Sequence, residues 1–93
     1  SAAGCTHVAF APASRQGMVL EGLPSTALVY VDKAYWGTGA EVEGMPRAMS
    51  AGYHEILIVD SGCQPYYGKI RLKANELVRR RPPMACLRKG TVR

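Results

Sequence analysis

The side chains best equipped for nucleophilic or metal chemistry in this chain are few and scattered: Cys5, Cys63 and Cys86, with His7 and His54. Cys63 with His54 is the one nucleophile–base combination to weigh, because a thiol attacks as its thiolate and needs a base or a cation to form it. Such a pair requires contact at hydrogen-bond distance, a third group to orient the imidazole and an oxyanion site, and nothing in the spacing supplies them. Cys63 therefore reads as a turn thiol. His7 falls in an alternating stretch, Thr6–Phe10, and reads as exposed or hydrogen-bonded. No pair of the five soft ligands has Cys-x-x-Cys or His-x-x-x-His spacing, so no metal site is expected. Gly37-Thr38-Gly39 fits neither Gly-x-x-x-x-Gly-Lys nor Gly-x-Gly-x-x-Gly, and no phosphate loop or cofactor is expected either. The sequence offers no catalytic residue.

Binding chemistry is better represented. From Tyr66 to Arg81, Lys69, Arg71 and Lys73 alternate with Ile70 and Leu72, and Arg79, Arg80 and Arg81 follow. A strand with one apolar and one wholly cationic face follows a phosphate backbone well, and Tyr66 and Tyr67 at its start offer rings on which bases stack. These eight residues are the candidate nucleic-acid contacts. A second aromatic pair, Tyr35 and Trp36, stands beside Gly37 and is a candidate ligand site, either a stacking platform or a cage for a cation. With one Trp and one Phe in the chain, large rings are also scarce core fillers, and packing is the expectation for Trp36.

Charge is divided along the chain. Residues 1–68 carry three Lys or Arg against six Asp or Glu, a net −3, whereas residues 69–93 carry nine against one, a net +8. Such polarity implies an anionic partner, nucleic acid or an acidic protein surface, with a solvated basic tail as the plain alternative. No apolar run approaches the roughly 18 residues that cross a bilayer, so a membrane partner is not expected. Ala9-Phe10-Ala11 is too short for a signal-peptide core, and both a cytoplasmic origin and an already processed chain fit. An odd number of widely spaced cysteines implies no disulfide framework; reduced thiols in the cytoplasm are the expectation.

The elements that must position these groups are mostly strands. Thr6–Phe10 and Met18–Leu20 read as short strands within an N-terminal arm, residues 1–24. Ala27 to Lys33 is rich in β-branched and aromatic residues, and Tyr35-Trp36-Gly37-Thr38-Gly39 reads as the turn that ends it. Ala40–Glu43 alternates as a short strand, and Pro46 to Gly52 fits a short helix or a loop. Tyr53–Asp60 contains four consecutive apolar residues, the pattern of a central strand covered on both faces. Asp60-Ser61-Gly62 is turn chemistry, Tyr66–Lys73 the basic strand, and Ala74–Val78 a helical turn. Val29, Val31, Val42, Ile56, Ile58, Ile70, Leu72 and Leu77 are the expected core of one mainly β domain, residues 25–80. Pro82-Pro83 opens a basic tail, residues 81–93. At 93 residues the chain holds one small core, which leaves apolar strands at its edges and favours a homo-oligomer, a dimer first.

The order of these strands, closing with a turn such as Ala74-Asn75-Glu76-Leu77-Val78, resembles that of SH3-like barrels over residues 25–80. The resemblance implies a small, strongly bent antiparallel barrel. Such barrels host proline-peptide binders, nucleic-acid binders, methyl-lysine readers and a tetrameric plasmid-borne dihydrofolate reductase, so fold alone leaves function open. The reductase builds its pore from a strand with an uncharged amide, an isoleucine and a tyrosine; Lys69-Ile70-Arg71-Leu72-Lys73 keeps only the isoleucine. Two functions are therefore expected: a nucleic-acid-binding module using the basic strand and tail, or a protein-interaction and oligomerisation module whose basic arm meets acids such as Glu41 and Glu43.

Overall fold

Alternation of buried and exposed positions organises the computed structural model, which describes residues 16–87 as seven strands and one helical turn. The strands are β1 (Gly17–Leu20), β2 (Leu28–Val31), β3 (Ala34–Thr38), β4 (Arg47–Ala48), β5 (Gly52–Val59), β6 (Tyr66–Leu72) and β7 (Leu77–Arg80), with α1 (Gly39–Val42) after β3. They form two sheets, a four-stranded antiparallel one in the order β3-β2-β5-β6 and a three-stranded one in the order β4-β1-β7. The domain is mainly β, as expected, but neither sheet closes into a barrel. The β1–β7 pair is parallel, with Met18 opposite Val78.

One core lies between the sheets. Val29, Val31, Ile56, Ile58, Ile70 and Leu72 come from the larger sheet and Met18, Leu20 and Val78 from the smaller; Ala27 and Val42 complete it. Period-2 alternation put every larger-sheet residue of this set on the correct face. Leu77, expected in the core, is 41% exposed, and its neighbour Val78 is buried instead. The reason is the preceding turn: Asn75 has φ +61, which a right-handed helical turn cannot contain, so β7 begins one residue out of the expected phase. At Gly17 a side chain would collide with the Arg47 carbonyl, so only glycine lets β4 pair so closely with β1.

Four local expectations are corrected. The stretch expected to be a turn at residues 35–39 is largely strand β3, because Asp32 and Lys33 make a two-residue hairpin with φ +52 and +68. This dipeptide lacks the glycine that usually marks such a turn. Ala40–Glu43 is not a strand, since Thr38 starts a helical turn with a reciprocal cap: its hydroxyl accepts from Glu41 N (3.3 Å) and Glu41 Oε1 accepts from Thr38 N (2.8 Å). Of the helix or loop expected from Pro46 to Gly52 the helix does not form; the stretch is loop around the two-residue strand β4. Finally, β5 is covered on one face only; Leu57 and Val59 stay half-buried on the other.

The expectation of reduced thiols also fails for two cysteines. Cys63 and Cys86 form a disulfide, and the flanking backbone pairs antiparallel, with Gln64 N donating to Ala85 O and Leu87 N to Gly62 O, both at 2.8 Å. A separation of 23 residues hid this proximity, which arises because β6 and β7 carry the chain away and back beside the turn after β5. Cys5, His7, the Thr6–Phe10 strand and the basic residues from Arg88 onward lie outside the described residues. No helix among the described residues is long and apolar enough to cross a membrane.

Candidate functional site

Strand alternation separates the residues expected to bind an anion into two groups. Tyr66 turns towards the core, whereas Tyr67, Lys69 and Arg71 stand on the solvent face of the larger sheet. Beside β6, Tyr66, Lys69, Arg80, Arg81, Pro82 and Pro83 line a small cleft of about 90 Å³. Lys69 is held by the edge strand β6, and Arg80 by the end of β7, so two chain segments remote in sequence supply the cations. Arg80 Nη1 donates to the Arg79 carbonyl at 3.1 Å. Arg79 itself is engaged elsewhere, its Nη1 2.7 Å from Glu21 Oε2. Arg81 lies over Gly22 near Glu43, whose carboxylate accepts from Leu23 N (2.9 Å) and Gly22 N (2.8 Å). Those two backbone bonds, with the Arg81 charge as a smaller contribution, hold Glu43 below the usual carboxylate pKa. Lys73 is exposed in the β6–β7 turn, where its backbone N–H donates to Glu76 Oε1 at 3.0 Å.

The second arrangement is the solvent face itself. The strand register aligns Tyr35, Tyr30, Leu57 and Tyr67 in one row across β3, β2, β5 and β6. Glu55 pairs with Lys69 in the next row and Tyr53 with Arg71 beyond it, the guanidinium 5.8 Å from the Tyr53 ring. The Tyr30 and Tyr35 rings meet at 5.5 Å with a 56° tilt. Tyr30, Leu57 and Tyr67, with Lys33 and Glu55, line a groove of about 330 Å³. An adjoining depression of about 460 Å³ is lined by Asp32, Tyr53, Glu55 and Lys69. The Glu55 carboxylate beside the Tyr67 hydroxyl pushes that phenol's pKa up.

Trp36 and Tyr35, expected to act together, point to opposite faces of β3. Trp36 packs against the core, with the Arg47 guanidinium 4.7 Å from its ring and Arg47 Nη2 donating to its carbonyl at 2.8 Å. It is a packing residue and Tyr35 a surface one. His54 lies near the start of β5 and Cys63 beyond its end, and Cys63 is tied into its disulfide. His54 is buried, its Nδ1 2.5 Å from Asp32 Oδ2 and its Nε2 2.8 Å from the Ser50 carbonyl. Two acceptors at the two ring nitrogens favour the doubly protonated imidazolium and anchor the ring in place. Burial opposes that charge, but the bonds to Asp32 and Ser50 outweigh it and raise the His54 pKa. The same pairing, together with the Glu55 N–H, lowers the pKa of Asp32.

Glu55, Leu57 and Lys33 were not singled out in the sequence. Their signal was present: Tyr53, Glu55, Leu57 and Val59 occupy alternate positions, but the uninterrupted Ile56-Leu57-Ile58-Val59 run masked a one-sided strand as a two-sided one. Among the described residues no cluster of three metal-ligating side chains occurs. No protein-family model matches this chain, and no curated protein or solved structure is significantly similar to it.

Proposed function

We propose that this domain is a binding module for an anionic polymer, single-stranded nucleic acid foremost, gripped at the edge cleft beside β6. The observation that carries the reading is the convergence beside Tyr66 of Lys69 from β6 with Arg80 and Arg81 at and just beyond the end of β7, two strands that belong to different sheets. Cations gathered around a small cleft suit a phosphate group, and the neighbouring tyrosine suits the planar or apolar part attached to it. With no recognition helix to enter a major groove, selectivity among sequences is weak. The Cys63–Cys86 bond supports an oxidising compartment over the cytoplasm expected from the cysteine spacing.

A second reading is assembly, as a homo-oligomer or on an acidic protein surface. It draws on the Arg79–Glu21 pair, a basic side chain already matched with a carboxylate, and on the weaker attraction between the Arg81 charge and Glu43. Titration of an oligonucleotide and of inorganic polyphosphate into the folded protein at low salt separates the two. Binding of both, lost in Arg80→Ala/Arg81→Ala, supports the polyanion reading. A concentration-dependent dimer with no binding of either supports assembly.

A further inference from the structure

The solvent face of the larger sheet carries a different chemistry from the cleft. Four of the seven exposed large apolar side chains in the described residues, Leu28, Tyr35, Tyr53 and Tyr67, stand on it. Exposed apolar surface concentrated on one face marks an interaction site, and here it is built on an antiparallel sheet whose register sets which side chains are neighbours. The Tyr35–Tyr30–Leu57–Tyr67 row crosses three strand spacings, roughly 14 Å. We infer that this face is a saccharide-binding site, taking a short neutral oligosaccharide along the tyrosine row with one sugar ring seated in the groove between Tyr30 and Tyr67 over Leu57.

The polar groups decide the occupant. Lys33 and Lys69 donate, Glu55 and Asp32 accept, and tyrosine hydroxyls do both, all within the groove and the depression beside the apolar row. A hydroxyl-bearing ring needs that mixture, because each hydroxyl donates one hydrogen bond and accepts others, while its C–H face covers a tyrosine ring. A phosphodiester needs donors alone and would be placed against the Glu55 carboxylate. The centre of a protein–protein interface is depleted in Lys, Glu and Asp, yet here Lys33 and Glu55 line the same groove as the tyrosines. The opposed charges of Glu55 and Lys69, directly across β5 and β6, leave the centre of the face close to neutral, which matches an uncharged ligand.

The test is amide chemical-shift mapping of the full chain with cellotetraose, chitotetraose and maltotetraose. At least one should shift the amides of Tyr30, Lys33, Glu55, Leu57 and Tyr67 with saturation. Tyr67→Ala and Tyr35→Ala, both at exposed side chains that the core does not need, should weaken that binding about threefold to tenfold each, while the spectrum stays folded. Glu55→Gln, which keeps an acceptor, should retain it. Failure of all three sugars to shift these amides overturns the inference, as does a sheet-face response to oligonucleotide instead of sugar, or a sugar-independent dimer abolished by Tyr67→Ala. Arg80→Ala/Arg81→Ala tests the cleft separately, so sugar binding that survives it while polyanion binding is lost shows two independent sites.

Discussion

The buried imidazole of His54 and the carboxylate of Asp32, 2.5 Å apart, join the start of β5 to the exposed hairpin between β2 and β3. Asp32 also accepts from Glu55 N at 2.9 Å through its other oxygen, so one carboxylate fixes both the turn and the strand that carries the groove. His54 has a folded pKa above its ordinary 6.5, and its contribution to stability is complete below that value and lost as pH rises through the raised one. Asp32 has a folded pKa below its ordinary 3.8, and its contribution is present above that value and lost as pH falls through the lowered one. The pair therefore stabilises most between 3.8 and 6.5. The urea midpoint should fall as pH is raised from this window to 9. Asp32→Asn, which tolerates the positive φ, should flatten that fall, and an unchanged slope would refute the assignment.

Which residues share a face was legible where alternation is strict, as in Lys69-Ile70-Arg71-Leu72, and illegible where tertiary structure sets the phase. Leu77 and Val78 are equally apolar, and only the positive φ at Asn75 decides which of them meets Met18 across the β1–β7 pair. Likewise the cleft needs Arg80 and Lys69 as neighbours, which follows from β6 and β7 entering different sheets and from no local pattern. The tyrosine row depended on finding β3, whose hairpin carries a lysine where a glycine would have announced it.

Truncation should cost unequally at Ile58 in β5 and at Leu77 in β7. Ile58 is fully buried, so Ile58→Ala should cost roughly 2–5 kcal/mol by equilibrium denaturation. Leu77→Ala, at a side chain 41% exposed, should cost under about 1 kcal/mol. Equal losses would mean that β7 packs in the opposite phase.

The disulfide ties down a segment that also contributes to the core, since Pro82 is buried and Met84 packs against the apolar cluster. Closing a loop of this length restricts the unfolded chain by about 3 kcal/mol in the entropic account. Reduction, or Cys63→Ser/Cys86→Ser, should lower the melting temperature correspondingly and raise amide hydrogen exchange in residues 84–87 first. Thiol titration of the unfolded, unreduced protein should find one free thiol of the three, that of Cys5. Three reactive thiols would remove the bridge.

Salt dependence measures which cations meet phosphate. Each phosphate neutralised on a single strand contributes about −0.7 to the slope of log affinity against log salt, so Lys69, Arg80 and Arg81 together should give a slope near −2. The three are not equivalent to the remaining basic residues. Arg79 is already paired with Glu21 at 2.7 Å, and for it to bind phosphate that contact must first be given up. Arg79→Ala should therefore change the slope little, whereas Lys69→Ala/Arg80→Ala/Arg81→Ala should weaken binding at low salt severely and bring the slope of any residual binding close to zero. Titration of a single-stranded oligonucleotide at two salt concentrations reads both effects. A slope that falls most on removing Arg79 would place the contact on the outer face of β7 and empty the cleft of its role. A steep slope that persists in the triple variant would assign the phosphates to the basic residues beyond Leu87.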